Sequence, residues 1–349
     1  MKYNRVYIES FAYSLPEKVL TTEEIENRLA PLYERLNLPF GRLEMLSGIK
    51  ERRYPENGTM PSDSSTKAAL IALEKTPHVS KDDIGCILHT SVSRDFLEPA
   101  SANIVHNALG LSNDCTIYDI SNACLGFLNG IITVADKIEL GQIDAGMVVS
   151  GENGRPLLDT TIEKLLTDTN LNRRNIKEYF AALTIGSGAA AVILTSDKLT
   201  QNGHKLLGGT VQNATEHNEL CRSFPDMGVH SGHDIIMTTD SEAVLINGCK
   251  LAGRTWSKLK EELGWQDDTP DRLFCHQVGT SHRRMLYETL GLDETRDFST
   301  VEFLGNIGSV SVPITVAMGE EKGIIKKDDT IGLFGIGSGL NCIMLGVSW

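Results

Sequence analysis

The sequence predicts an α/β fold with mixed β-sheets, on three observations. Short apolar runs alternate with segments of helical periodicity along most of the chain. The runs are apolar almost throughout, as in strands covered on both faces. The final stretch, TIGLFGIGSGLNCIMLGVSW, is different: two apolar runs meet near GIGSG with no helix between them, so they read as adjacent strands.

In chain order the expected strands are RVYIESFAY, IGCILHTSV, CTIYDIS, AGMVVSGE, GAAAVILTS, KLLGGTV, RLFCHQV and the terminal pair. The expected helices are SSTKAALIALEKT, PASANIVHNALG, LGFLNGIITVADKIELG and SEAVLINGCKLAGRTWSKLKEELG, each with apolar residues at helical spacing. The stretch at about 155–182, PLLDTTIEKLLTDTNLNRRNIKEYFAAL, is charged and helical. It separates two strand runs and reads as an inserted helical segment, either a lid or an ordinary surface helix pair.

The bulk properties narrow the function. A chain of 349 residues suits two domains or two closely packed halves. Its net charge of −13 opposes nucleic-acid backbones and anionic lipid surfaces alike. The start has polar and charged residues where a signal peptide has an apolar core, and no window has the length of a membrane span. Seven cysteines, odd in number and without C-x-x-C pairs, point to reduced thiols in the cytoplasm and to neither disulfides nor a zinc site. His230 and His233 in FPDMGVHSGHDI have no third ligand in view, and that segment reads as a polar loop.

Four places could carry chemistry. Cys124 stands where a strand gives way to a helix, behind the small residues Ser121, Asn122 and Ala123. It is either a packed core thiol or a nucleophile whose thiolate is favoured by helix N-terminal N–H groups. His276 ends an apolar run, where sheets carry their sites, although a lone histidine is also common in a core. Asn306 lies between Gly305 and Gly308 and serves turn geometry or a pocket. GIGSGLNC lacks the lysine and the following helix of a phosphate loop, and such a turn can instead bring a backbone N–H to a carbonyl.

SGIKERRY, DISNACLGF, GSGAAAVIL, HQV, GNIGSVSVP and GIGSGLNC occur in the order found in the thiolase superfamily. Together they resemble the ketoacyl-synthase-III-like condensing enzymes over nearly the whole chain. TSVSRDFLEPASANIVHNALGL, SNACLGFLNG, the long segment between SGEN and GSGAAA, and ATEHNELCR are most similar to the branch that joins two fatty acyl-CoA molecules head to head. The resemblance implies a thiolase-like fold of two pseudo-duplicated halves in five layers, divided as 1–185, with the nucleophile and the insertion, and 186–349, with the histidine and the asparagine.

The resemblance also implies a mechanism. Cys124 takes an acyl group from an acyl-CoA, and the backbone N–H groups of Cys124 and Ser338 form the oxyanion hole. His276 and Asn306 hold the thioester oxygen of the second substrate as it becomes an enolate. Glu98 in FLEPA matches the carboxylate base that such enzymes receive from a neighbouring subunit, which implies a homodimer; read alone, Glu98 is a helix-start carboxylate ahead of Pro99. Acyl-CoA thioesters are the substrates, no cofactor or metal is implied, and downstream enzymes are possible partners. The alternatives are a decarboxylative 3-oxoacyl synthase using malonyl-CoA or malonyl-carrier protein, and a non-catalytic partner subunit. The chain departs from the synthase III pattern in two stretches. Arg42 and Leu46 stand where that family clamps the CoA adenine, and HQVGTSH replaces its histidine signature, leaving Gly279 and His282 without a role.

Overall fold

In the computed structural model, which describes residues 1–201, 203–224 and 236–349, the largest sheet has nine strands. In chain order they are β1 (Val6–Ser14), β2 (Ile84–His89), β3 (Thr116–Asp119), β4 (Ala145–Glu152), β5 (Gly188–Ser196), β6 (His204–Asn213), β7 (Arg272–Cys275), β8 (Thr330–Gly337) and β9 (Asn341–Ser348). Across the sheet the order is β7-β8-β9-β6-β1-β5-β4-β2-β3. Pairs β2–β3, β2–β4 and β7–β8 are parallel, and β1–β5, β4–β5, β6–β9 and β8–β9 are antiparallel. The sheet is therefore mixed, and the terminal stretch is the antiparallel pair β8–β9.

Strand order repeats on either side of the junction between β1 and β6, which meet at Tyr7 with Lys205 and Ile8 with His204. One side runs β1-β5-β4-β2-β3 and the other β6-β9-β8-β7. Beyond β7 a parallel bridge from Leu273 to Asp297 occupies the place that β3 has beside β2. β5 lies after the boundary expected at residue 185, yet it pairs along its length with β1 and β4. The pairing therefore groups β5 with the first half, and the change of half falls between β5 and β6.

Six helices cover these strands: α1 (Pro61–Lys75), α2 (Ser101–Leu109), α3 (Gly126–Glu139), α4 (Ser241–Leu263), α5 (Thr280–Leu290) and α6 (Ser311–Glu321). Ile87, Met147, Val149, Ala191 and Ile193 pack with α1 and α2, while the alternate residues Leu88, Val148, Ala190 and Val192 pack with α3 and α6. In the second half Phe274, Leu333, Ile343 and Leu345 face the same central helices, and Leu273, Phe334 and Met344 face α4 and α5. This period of two on strands covered from both sides produces five layers, helix–sheet–helix–sheet–helix. Local signals set the helix ends. Asp240 caps α4 by accepting from the Ala243 N–H at 3.0 Å, and α4 ends at Gly264, whose φ is +72°.

A fourth apolar cluster lies outside these layers. Ile25, Leu29 and Leu32 of the N-terminal helices pack against Leu158, Ile162 and Leu165 of the helix Arg155–Thr167. The segment 155–182 is thus held by its own core, with short 3-10 turns at Asn175–Tyr179 and Ala182–Thr184 after the helix. Among the described residues no helix is long and apolar enough to cross a membrane. His230 and His233 lie outside the described residues.

Candidate active site

Cys124 lies in a 3-10 turn, Ala123–Leu125, that runs directly into α3. The residue before it, Ala123, has φ +46°, a left-handed conformation that costs a non-glycine residue about 1–2 kcal/mol. Gly126 lets this turn press against the end of β2, since a Cβ there would stand 2.3 Å from the Thr90 carbonyl oxygen. From the other half, Gly337 closes on the same turn: a Cβ on it would stand 3.5 Å from the Cys124 amide nitrogen. Side-chain amides tie the two turns together. Asn341 Nδ2 donates to Asn122 Oδ1 and to the Ser338 carbonyl, each at 3.2 Å, and Asn122 Nδ2 donates to Asn129 Oδ1 at 2.7 Å.

His276 follows β7 directly, and its N–H donates to the Phe334 carbonyl of β8 at 2.8 Å. Its Nδ1 is buried and has no hydrogen-bond partner among the described residues. Burial, with the nearby His282 adding to it, pushes the imidazole pKa down to about 4, so the ring is neutral at pH 7. Asn306 is pinned by its backbone: its N–H donates to Thr184 O at 3.0 Å and its carbonyl accepts from Gly186 N–H at 2.8 Å. The Gly308 amide donates to Asn306 Oδ1 at 3.1 Å, which leaves Nδ2 as the donor end.

Cys124, His276, Asn306 and Ser338 line one cavity of about 1020 Å³. That volume is at the top of the usual range for ligand sites, roughly 300–1,000 Å³. Arg155, Pro156 and Leu157 of the inserted segment also line it, so the insertion forms part of the wall. Gly279 and His282 line it too. Arg42 instead stacks over Phe180 at 5.6 Å, and Leu46 is exposed; neither faces the cavity.

One finding differs from the sequence reading. Burial, with the Glu152 carboxyl adding to it, pushes the Cys124 thiol up to about 12, so the resting group is a thiol. Desolvation outweighs the helix N–H groups expected to favour the thiolate. Glu98 is exposed and does not line the cavity of its own chain; it follows the exposed Phe96 and Leu97.

The sequence reading missed Glu152, the last residue of β4. It is buried, lines the cavity with Cys124 and accepts hydrogen bonds from Val92, Ser93 and Ser309. A carboxylate ending an otherwise apolar strand run was the available signal. Cys221 lines the cavity as well, and its thiol accepts from Thr239 Oγ1 at 3.4 Å.

Residues 118–214 match the family model for 3-oxoacyl-[acyl-carrier-protein (ACP)] synthase III, and residues 260–349 match the model for its C-terminal part. The acyl-CoA:acyl-CoA alkyltransferase of Shewanella oneidensis is 43% identical, with 100% of both chains covered. That of Xanthomonas campestris is 38% identical, again over 100% of both. A crystal structure of Xanthomonas campestris OleA with cerulenin bound has a TM-score of 0.93 and 37% identity, covering 100% of this chain and 98% of that one. On this full-length likeness the chain belongs to the acyl-CoA:acyl-CoA alkyltransferase (OleA) branch of the 3-oxoacyl-[acyl-carrier-protein] synthase III family, enzymes of thiolase-like fold.

Proposed function

We propose that the protein joins two fatty acyl-CoA molecules head to head, by a non-decarboxylative Claisen condensation through an acyl-Cys124 intermediate. The carrying observation is the convergence of Cys124, His276, Asn306 and Ser338 on one large cavity. Relatives that carry the name acyl-CoA:acyl-CoA alkyltransferase over the full length support the substrate class.

In the first half-reaction Cys124 Sγ attacks the thioester carbonyl, and the thiol proton leaves on the CoA sulfur. The backbone N–H groups of Cys124 and Ser338 hold the oxyanion. In the second, a carboxylate removes an α-proton from another acyl-CoA while His276 and Asn306 donate to its thioester oxygen. Neutral donors suit an oxygen that becomes charged only in the transition state. The enolate attacks the acyl-Cys124 carbonyl, the tetrahedral adduct expels the sulfur, and the sulfur recovers the proton. The product is a β-ketoacyl-CoA.

The base in this reading is Glu98 of the partner subunit in a homodimer. Its exposure, beside apolar residues that are 52% and 58% exposed at Phe96 and Leu97, suits a segment that is covered by a second copy. No bound cofactor or metal enters this chemistry. We place the enzyme in the cytoplasm, where its seven free thiols stay reduced.

The test incubates the protein with a long-chain acyl-CoA, with and without malonyl-CoA, and follows intact mass and products. An acyl adduct on Cys124 and a β-keto product without malonyl-CoA are expected. A product that forms only with malonyl-CoA sinks the non-decarboxylative reading, and no adduct at all sinks the acyl-enzyme. Glu98→Ala should keep the adduct and stop condensation; unchanged condensation removes Glu98 from the mechanism.

A further inference from the structure

Glu152 places a carboxylate in the interior beside the nucleophile, and its partners belong to two other segments. Oε1 accepts from Val92 N–H at 2.9 Å, from Ser309 N–H at 3.2 Å and from Ser309 Oγ at 2.6 Å. Oε2 accepts from Ser93 N–H at 3.1 Å. Burial raises the pKa of this carboxyl; the four donors oppose that and fix its orientation.

Each donor segment leads to a residue of the proposed reaction. Val92 and Ser93 begin the stretch that carries Glu98 to the surface. Ser309 follows Gly308, whose amide orients Asn306. Gly308 is pressed against the carboxylate, because a Cβ there would stand 3.0 Å from Glu152 Oε1, and its φ is +57°. Behind the carboxylate, Ser309 Oγ meets Ser150 Oγ at 2.8 Å, and Ser91 Oγ accepts from Ser150 Oγ at 3.2 Å and from Gly151 N–H at 2.9 Å. This buried network joins the end of β4 to both segments.

We propose that Glu152 is a positioning residue for carbon–carbon bond formation: one buried carboxylate sets the segment that delivers Glu98 and the turn that presents Asn306. The inference rests on the condensing reaction above, with Glu98 as its base. The two oxygens divide the work. Oε1 holds the Asn306 turn and Val92, whereas Ser93 depends on Oε2. A glutamine can keep its carbonyl oxygen at the Oε1 position, but its NH₂ group then faces the Ser93 N–H. Glu152→Gln therefore disturbs the Glu98 segment and preserves the other side.

The experiment uses the full chain with tetradecanoyl-CoA, unlabelled and deuterated at the α-carbon. It measures the rate of Cys124 adduct formation, the rate of β-keto product and the isotope effect on the product. Glu152→Gln should acylate at least as fast as wild type, because the oxyanion hole at Cys124 and Ser338 is untouched and the carboxyl that helps hold the Cys124 thiol up is gone. Product formation should fall by about tenfold or more, since a displaced base weakens proton abstraction. The α-deuterium isotope effect should rise as that step comes to limit the rate. An unchanged product rate or an unchanged isotope effect overturns the inference, as does a parallel loss of acylation.

Should Glu152→Gln fail to fold, Ser309→Ala removes the 2.6 Å donor and leaves the charge and Ser93 in place. It should slow product formation severalfold with acylation intact, and a wild-type product rate overturns the inference. Wild type run alongside keeps the two readings apart. A wild type that makes no β-keto product without malonyl-CoA overturns the reaction itself.

Discussion

Asn341 Nδ2 donates to Asn122 Oδ1 at 3.2 Å, joining the turn before Cys124 to the turn after Ser338 across the two halves of the molecule. The same amide group holds the Ser338 carbonyl at 3.2 Å and so fixes the orientation of residue 338. Asn341→Ala removes both bonds and leaves both proposed oxyanion N–H groups in the chain. Removing an oxyanion donor outright costs about 10²–10³ in rate, so misaligning one should cost roughly tenfold. Cys124 acylation, followed by intact mass, should slow by that factor; a wild-type rate would show that the turns hold their register without the amide.

The contact between α3 and β2 makes a sharper demand on Gly126. A Cβ 2.3 Å from the Thr90 oxygen forces the helix or the strand to move, and the atom it meets is backbone. Overpacking of this kind costs about 1–3 kcal/mol. Gly126→Ala should lower the thermal midpoint and slow Cys124 acylation together, because the turn that holds Cys124 runs directly into the helix that moves. A normal midpoint with normal acylation would contradict the close approach.

Asn306 allows a test that leaves the fold alone. Asn306→Asp keeps an oxygen for the Gly308 amide, now 3.1 Å from Oδ1, and replaces the Nδ2 donor with an acceptor. Condensation should drop by about 10²-fold or more while Cys124 still acylates. Equal effects on both half-reactions would show that Asn306 does not serve the second substrate.

What the sequence revealed, and what it hid, follows from where the partners of each residue lie. The places of Cys124, His276 and Asn306, at strand ends or in a glycine turn, were legible because neighbours in the chain set them; their meeting in one cavity was not. The strands were legible for the same reason: runs such as AGMVVSGE and GAAAVILTS are apolar on both faces. The place of β5 in the sheet was not legible, because it comes after the inserted segment yet pairs with β1, a partner far back in the chain. Glu152 showed only as a carboxylate ending an apolar run; its role was hidden because Val92 and Ser309, which donate to it, are 60 and 157 residues away. The raised pKa of Cys124 comes from the enclosure of the turn by both halves, and no local pattern encodes that.

The environment of His276 predicts how acid acts on the protein. Its folded pKa of about 4 lies below the ordinary value of 6.5. Between those values the unfolded chain holds a proton that the native ring refuses, so stability is fully present above 6.5 and is lost as pH falls toward 4. For this one group the loss approaches roughly 3 kcal/mol at the lower end. The thermal midpoint of wild type should therefore fall more steeply from pH 7 to 4.5 than that of His276→Asn, which has no imidazole to protonate. Parallel profiles for the two proteins would show that His276 titrates normally in the fold. The same depression bears on catalysis. A ring that stays neutral down to about pH 5 keeps one N–H to donate and carries no charge, so the condensation rate should show no titration step near 6.5. A step at that pH that disappears in His276→Asn would place the imidazolium, not the imidazole, in the reaction.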